Sequence, residues 1–291
     1  MGIGDDCALL RPDAGLELAV TTDMLVEGRH FLPGADPEAL GHKALAVNLS
    51  DLAAMGAAPR WVTLALALPA TDERWLAAFA RGFFALAERH GVDLVGGDTT
   101  RGPVLTINVT ALGEVPSGVA LYRAGARPGD DIWVSGELGG AALALAHPEL
   151  AAVAGRLHRP EPRVELGERL RGLARAAIDV SDGLAGDLGH ILERSHVGAV
   201  IEYERIPRPA AFGAFRELER DCVLSGGDDY ELTFTAAQAQ RGEIESLGRE
   251  LKLPLARIGA IQSGAAKLVV LDAAGKPMAH RGGFDHFGTG S

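Results

Sequence analysis

The chain has little cysteine and lysine, and no long apolar run. Cys7 and Cys222 are its only thiols. Two thiols cannot build a disulfide-dense scaffold or a four-cysteine zinc site, and they point to a reducing cytoplasm. Only four of the 28 basic residues are Lys, a bias that carries no functional meaning. The longest apolar run, from Trp61 to Ala70, is about ten residues, whereas a membrane helix needs roughly 20. The start, Met-Gly-Ile-Gly-Asp-Asp, lacks the basic and apolar regions of a signal peptide. There is no Walker A sequence, no His-Glu-x-x-His, no nucleophile elbow and no kinase catalytic loop. Gly2-x-Gly4 has Cys7 at the third slot, so it is no dinucleotide fingerprint. Positive charge is also in deficit. The net charge of −11 disfavours nucleic acid and anionic membrane as partners. It also repels a phosphorylated substrate unless cations intervene.

What is present is ordinary globular material: 291 residues, 47% hydrophobic and 23% charged. That length favours about two domains. Strand and helix patterns alternate, which predicts an α/β or α+β layered architecture. Glu17–Thr21 reads as a short strand. Asp36-Pro37 opens a helix through Leu45, Leu49, Leu52 and Met55 that stops near Gly56. Trp61–Leu68 is a strand, Thr71–His90 a helix, and Val92–Val95 and Val104–Leu112 are strands. The Gly-, Pro- and Arg-rich stretch Arg123–Asp130 predicts a boundary, giving domains 1–122 and 123–291. Beyond it, strands are expected at Asp131–Ser135, Ala176–Val180, Ala199–Tyr203, Glu231–Thr235 and Ala256–Ile261. Helices are expected at Leu138–His147, from Pro162 to Arg175, at Leu184–Arg194 and at Gln238–Leu251.

The unusual feature is the placement of aspartates. Five times an apolar stretch meets a short acidic turn: Gly4-Asp5-Asp6, Thr21-Thr22-Asp23, Gly96-Gly97-Asp98, Asp179-Val180-Ser181-Asp182-Gly183 and Gly226-Gly227-Asp228-Asp229. Asp51 adds a sixth acid inside a helix, with Asn48 and Lys43 on neighbouring turns. Any one such pair is ordinary turn chemistry. Five at strand ends suggest loops gathered at one sheet edge. Two bare carboxylates at ~4 Å repel by about 4 kcal/mol at an effective dielectric of 20, so convergence requires several divalent cations. Carboxylates, hydroxyls and water are the ligands Mg²⁺ prefers, and polyphosphate chemistry is what uses several such ions. Arg123 is a candidate phosphate clamp. Asp5, Asp187 and Asp229 read as caps or turn formers, and Cys7 and Cys222 as buried small apolar residues.

The segments MGIGDDCALL, TTDMLVEGRHF, HKALAVNLSDLAAMGA, GGDTTRGP, AIDVSDGLAGDLGHI, SGGDDYEL and GGFDHF resemble, in order and over nearly the whole chain, the thiamine-monophosphate kinases. That family lies within the aminoimidazole-ribonucleotide synthetase-like superfamily. The resemblance implies a two-domain fold: an N-terminal α/β domain that pairs across a dimer two-fold and carries most of the ATP site, and a C-terminal α/β domain. It implies Mg²⁺ ligation by Asp6, Asp23, Asp51, Asp98, Asp179 and Asp182, helped by Thr21 and Thr22. It assigns ATP contacts to Gly97, Asp98, Arg123 and Ser181. It assigns thiamine monophosphate contacts to His30, Asp228 and Phe284. Relatives carry a further segment before the Gly-Asp-Asp motif, so Asp6 is expected in a fraying terminus.

The implied reaction needs no protein nucleophile or base. A phosphate monoester has its second pKa at about 6 and is mostly dianionic at pH 7, so its oxygen is already a nucleophile. The obstacle is repulsion between two polyanions, met by positioning and Mg²⁺ electrostatics with direct in-line transfer. The fixed thiazolium cation suits an acid such as Asp228 and an aromatic ring such as Phe284. Two alternatives stand. One is another ATP-dependent member of the superfamily, selenophosphate synthetase-like with Cys7 as its thiol, or hydrogenase-maturation-like. The latter needs a C-terminal cysteine that the His286-Phe287-Gly288 tail lacks. The other alternative is a non-catalytic dimer that binds metal or thiamine phosphate.

Overall fold

The computed structural model describes residues 7–282. The chain divides into two compact units: the first runs to Ala120 and includes His158–Val164, and the second comprises Leu121–Leu157 and continues from Glu165. No helix among the described residues is long and apolar enough to cross a membrane.

The first unit runs β1 (Leu16–Val26), α1 (Pro37–Ala54), β2 (Ala58–Leu68), α2 (Glu73–His90), β3 (Asp93–Arg101) and β4 (Thr106–Pro116). Its sheet order is β1-β4-β2-β3, with β2 and β3 parallel and the other pairs antiparallel. The parallel pair needs a crossover, which α2 supplies. Asp36 caps α1 by accepting the Ala39 N–H at 3.0 Å, and Pro37 occupies the first turn. Leu45, Leu49 and Leu52 are fully buried, because α1 packs both on the sheet and on α2. The two helices touch through glycines. A Cβ on Gly41 would lie 2.0 Å from Phe79 O, and one on Gly82 1.8 Å from Glu38 O. The segment His158–Val164 is tied to this unit by Arg159–Glu38 at 3.2 Å, Arg89–Glu161 at 2.9 Å and His42 Nε2–Pro160 O at 2.8 Å. On the outer face of the sheet, alternate β1 residues stand in solvent: Leu18 is 40%, Val20 61% and Met24 54% exposed.

The second unit runs β5 (Asp131–Ser135), α3 (Gly140–Ala146), α4 (Ala151–His158), α5 (Val164–Leu170), β6 (Ala174–Val180), α6 (Leu184–Ser195), β7 (Gly198–Glu202), α7 (Arg216–Ser225), β8 (Glu231–Ala236), α8 (Arg241–Leu251), β9 (Leu255–Gln262), β10 (Leu268–Leu271) and β11 (Pro277–Met278). Its sheet order is β11-β10-β7-β9-β5-β8-β6. The main core joins Ile132, Val134, Ile178, Val180, Ile201 and Ile258 of the sheet to Leu143 of α3, Leu188, Ile191 and Leu192 of α6 and Val223 and Leu224 of α7.

Five elements differ from the sequence expectation, and Cys7, expected to be buried like Cys222, is exposed. Strands β1 and β3 run on through Thr21-Thr22-Asp23 and Gly96-Gly97-Asp98, so these two acidic motifs are extended strand and not turns. Sheet pairing of both motifs overrides the turn propensity of Gly and Asp. Helix α5 stops at Leu170, and the chain enters β6 at Ala174. Helices α4 and α7 were not expected. α7 reads Arg-Glu-Leu-Glu-Arg-Asp over its first six residues and buries Cys222, Val223 and Leu224 only at its end, so its apolar stripe is too short to register.

Candidate active site

In the first unit, strand alternation and helix α1 assemble one polar group. Thr21 and Asp23 lie on one face of β1, and Thr22 lies on the other. The Thr21 hydroxyl donates to the Asp51 carboxylate on α1. Asn48, one turn earlier and fully buried, accepts the Asp23 N–H through Oδ1 at 3.1 Å and donates to Ala44 O at 3.2 Å. Thr21, Asp23, Asn48 and Asp51 are therefore brought together, with Asn48 fixing the main chain at Asp23. Lys43 is buried on the same helix. The Thr22 hydroxyl instead pairs with Val109 O, Thr110 Oγ1 and Asn108 Nδ2, each at 3.1 Å. Only its main chain is on hand for the inner group.

Asp98 is placed elsewhere. The pairing register runs Asp23↔Val109, Val109↔Leu64 and Leu64↔Gly97, so β1 and β3 are opposite edges of one sheet. Three strand spacings amount to about 14 Å. Asp98 is exposed, and its carboxylate accepts the Thr99 N–H at 2.8 Å. Gly97 beside it has φ 150°, and a Cβ there would lie 1.9 Å from Leu64 O, so only glycine lets β3 approach β2 here. His30 follows β1. Its Nδ1 accepts the Val26 N–H at 3.0 Å, which leaves Nε2 as the protonated nitrogen of the neutral ring.

In the second unit, two loops are stitched together around the end of β6, and a third stretch runs along its earlier part. Tyr122 O accepts the Ala177 N–H at 2.9 Å, a Cβ on Gly125 would lie 2.5 Å from Arg175 O, and Arg123 O accepts the Ser195 hydroxyl at 3.3 Å, which lays Arg123 alongside the earlier part of β6. Asp228 N–H donates to Ser181 O at 2.9 Å, and Tyr230 N–H to Val180 O at 2.8 Å. A Cβ on Gly227 would lie 2.4 Å from Ser181 O. Asp179, Ser181, Asp182 and Asp228 thus belong to one constellation, whereas the main chain of Arg123 lies toward the other end of β6. Asp228 and Tyr230 both have positive φ, 68° and 50°, and the Tyr230 hydroxyl donates to the Asp228 carboxylate at 3.0 Å. Backbone strain of this kind costs about 1–3 kcal/mol per residue and collects at functional sites.

Two buried carboxylates hold this arrangement from beneath. Asp187 accepts the Ser181 and Asp182 N–H groups at 3.1 Å each. Burial, with the neighbouring Asp182 charge, pushes its pKa up to about 7, although the backbone bonds pull the other way. Asp229 accepts the Gly139 N–H at 2.7 Å and the Ala141 N–H at 3.3 Å at the start of α3. Burial pushes it up to about 8. Sequence reasoning recognised both as caps or turn formers. It missed that Asp187 clamps the Ser181–Asp182 loop, and it missed Asn48 and Tyr230 as positioning groups. The one available signal was the acid six residues after Ser181, in the first turn of α6. Asp6 and Phe284 lie outside the described residues.

Among the described residues no three His, Cys, Asp or Glu side chains form a ready-made cation cage. The donors present are hard oxygens: paired Thr21 and Asp51, with Asp23 beside them, and the separate carboxylates Asp98, Asp179 and Asp182. Mg²⁺ is typically held by one or two carboxylates, with water and substrate phosphates completing its shell, in preference to an all-protein cage. The donor set fits that ion.

This fold and these acid-rich loops are those of the AIR synthase-related proteins. Residues 4–115 match the family "AIR synthase related protein, N-terminal domain" and residues 127–270 its "C-terminal domain", so the chain belongs to that family and has its two-domain α/β fold. Within it, thiamine-monophosphate kinases are among the similar proteins. The thiamine-monophosphate kinase of Salmonella typhimurium is 45% identical over 99% of this chain and 92% of its own length, and that of Escherichia coli K12 is 44% identical with the same coverage. The crystal structure of the kinase from Stenotrophomonas maltophilia K279a superposes with a TM-score of 0.89 at 51% identity, covering 96% of this chain and 92% of that one. AaThiL, solved in complex with AMPPCP and TMP, superposes with a TM-score of 0.83 at 31% identity, covering 95% of this chain and 89% of that one. The chain is an enzyme of the thiamine-monophosphate kinase family, a phosphotransferase.

Proposed function

We propose that the chain phosphorylates thiamine monophosphate with ATP, giving thiamine diphosphate, in the cytoplasm and as a homodimer. The observation that carries this reading is the AaThiL complex, whose protein matches this chain nearly end to end and holds both AMPPCP and TMP. The assigned residues agree with it chemically. The acceptor phosphate is a dianion near neutral pH, and no described group is arranged as its base. Thr21, Asp23, Asp51, Asp98, Asp179 and Asp182 are assigned to Mg²⁺, with Asp6 and the main chain of Thr22. When bound, Mg²⁺ neutralises phosphate oxygens and so lowers the repulsion between the two substrates. Gly97 and Asp98, Arg123 and Ser181 are assigned to ATP. Arg123 is exposed at the edge of β6, where a guanidinium can fork onto a phosphate. His30 is assigned to the monophosphate substrate through its Nε2–H. Asp228, held by Tyr230, is assigned to the thiazolium cation, with Phe284. In-line transfer follows from positioning alone.

The homodimer reading has two supports. The exposed Leu18, Val20 and Met24 form an apolar strip on the sheet face. Asp98 also lies across the sheet from Asp23, and a second copy related by a two-fold axis supplies a way to bring such separated edges into one site.

The test is ADP release and ³¹P detection of the diphosphate, with and without thiamine monophosphate, at saturating Mg²⁺. Stoichiometric ADP and thiamine diphosphate are expected only when both substrates are present. Calorimetric binding of thiamine monophosphate without ADP would show a binding module instead. Turnover with hydrogen selenide or a carbamoylated peptide in its place would move the chain to another branch of the superfamily.

A further inference from the structure

The second unit contains a cavity that none of the assigned residues lines. Its volume is about 320 Å³, and it is bordered by Arg205, Arg241 and Arg257 with Asp131, Glu202 and Gln262. Val200, Gly259, Ala260 and Leu271 also line it, so part of its wall is small and apolar. It sits over β7, β9 and β10. Strand β9 is three strands away from β6, about 14 Å, and the residues assigned to the kinase reaction in this unit lie at β6 and the adjoining loops.

Charge accounting shows what the cavity selects. Asp131 is buried, at 1% exposure, and a buried carboxylate needs one well-placed cation. Arg241 supplies it as a two-pronged pair, Nε to Oδ2 at 2.5 Å and Nη2 to Oδ1 at 2.7 Å. Arg205 is matched by Glu202 at 2.7 Å, an exposed pair. Arg257 is surplus. Its contact with Asp131 is a long 3.5 Å approach to an oxygen already taken by Arg241. Three guanidiniums therefore meet two carboxylates among the residues lining this cavity, in a chain whose net charge is −11. A guanidinium fork matches carboxylate and phosphate oxygens. Cavities of about 300 Å³ and above are of ligand size.

We propose that this cavity is a second ligand site, separate from the kinase centre, which takes a small organic phosphate or carboxylate. Arg257 and Arg205 receive the oxyanion, and the body of the ligand rests on Val200, Ala260 and Leu271. The test is isothermal calorimetry of the full chain with phenyl phosphate and, separately, benzoate. In every variant Arg241 is left intact so that Asp131 keeps its partner. One saturable site is expected in the wild type and in Asp182→Asn, unaffected by saturating ATP and thiamine monophosphate. Binding is expected to weaken at least tenfold in Arg257→Gln and in Arg205→Gln, whose folding is checked by circular dichroism. Arg205 is a surface residue, so its variant decides the matter if Arg257→Gln does not fold. No heat at 10 mM of either probe in the wild type would overturn the proposal. So would affinity unchanged in both arginine variants, or displacement of the probe by the kinase substrates.

Discussion

At the scale of single residues, exposure and burial separate chemistry from structure. Asp98 is exposed and, among the described residues, its carboxylate bonds only its neighbour's amide, so neutralising it removes charge without opening a hole. Asp98→Asn and Asp182→Asn are expected to lower kcat by about 10²–10³-fold, the scale of losing one preorganised electrostatic group, with Tm nearly unchanged. Wild-type rates at limiting Mg²⁺ would refute the assignment. Asp229 behaves in the opposite way. Its folded-state pKa is raised from 3.8 to about 8, so between those values the native state holds a proton that the unfolded chain releases. Stability contributed by the protonated form is full at low pH and falls as pH rises across that window. In urea titrations from pH 5 to 8 the wild type is expected to lose stability, and Asp229→Asn, which cannot ionise, to show a flatter profile.

At the scale of elements, two helical glycines make contrasting predictions. Alanine is the better helix former by about 1 kcal/mol. In α6 a Cβ on Gly189 meets nothing within 4 Å, so Gly189→Ala is expected to raise stability by about 0.5–1 kcal/mol. In α2 a Cβ on Gly82 falls 1.8 Å from Glu38 O. The helices must then separate, and overpacking costs roughly 1–3 kcal/mol, which exceeds the propensity gain. Thermal melts of the two variants should shift in opposite directions. The same elements show what the sequence made legible. Helix α1 was plain because cap, Pro and stripe agree. The loops Asp179–Gly183 and Gly226–Asp229 were plain because Gly beside Asp at a strand end marks a bend. The Gly96-Gly97-Asp98 motif carries the same letters, yet its backbone pairs with β2, and no local signal reveals a long-range partner. Asn48, Asp187 and Tyr230 were obscure for that reason too, since each acts on a main-chain or side-chain group that only the tertiary fold supplies. The cavity over β9 draws its arginines from three separate elements and has no motif.

At the scale of the whole molecule, charge and the uncovered sheet face set behaviour. With a net charge of −11, two copies repel, so an association must rest on apolar contact and strengthen with salt. Val20→Lys with Met24→Lys places two cations on the exposed strip, where neither side chain is needed for the unit's core. Sedimentation is expected to show a dimer for the wild type and a monomer for the double variant. If Asp98 serves the reaction across such a pairing, activity falls in parallel with the dimer fraction. An unchanged sedimentation coefficient would remove the strip from the assembly.

The two backbone bonds that join Asp228 and Tyr230 to Ser181 and Val180 tie strained main chain to a loop that is itself clamped by Asp187. A strained turn relaxes as soon as its tether breaks, so neither loop opens alone. In hydrogen exchange their amides should form one cooperative unit with a shared opening free energy. If Asp228 holds the thiazolium and Ser181 the nucleotide, as proposed, loosening one grip slackens the other, so both ligands leave in one event.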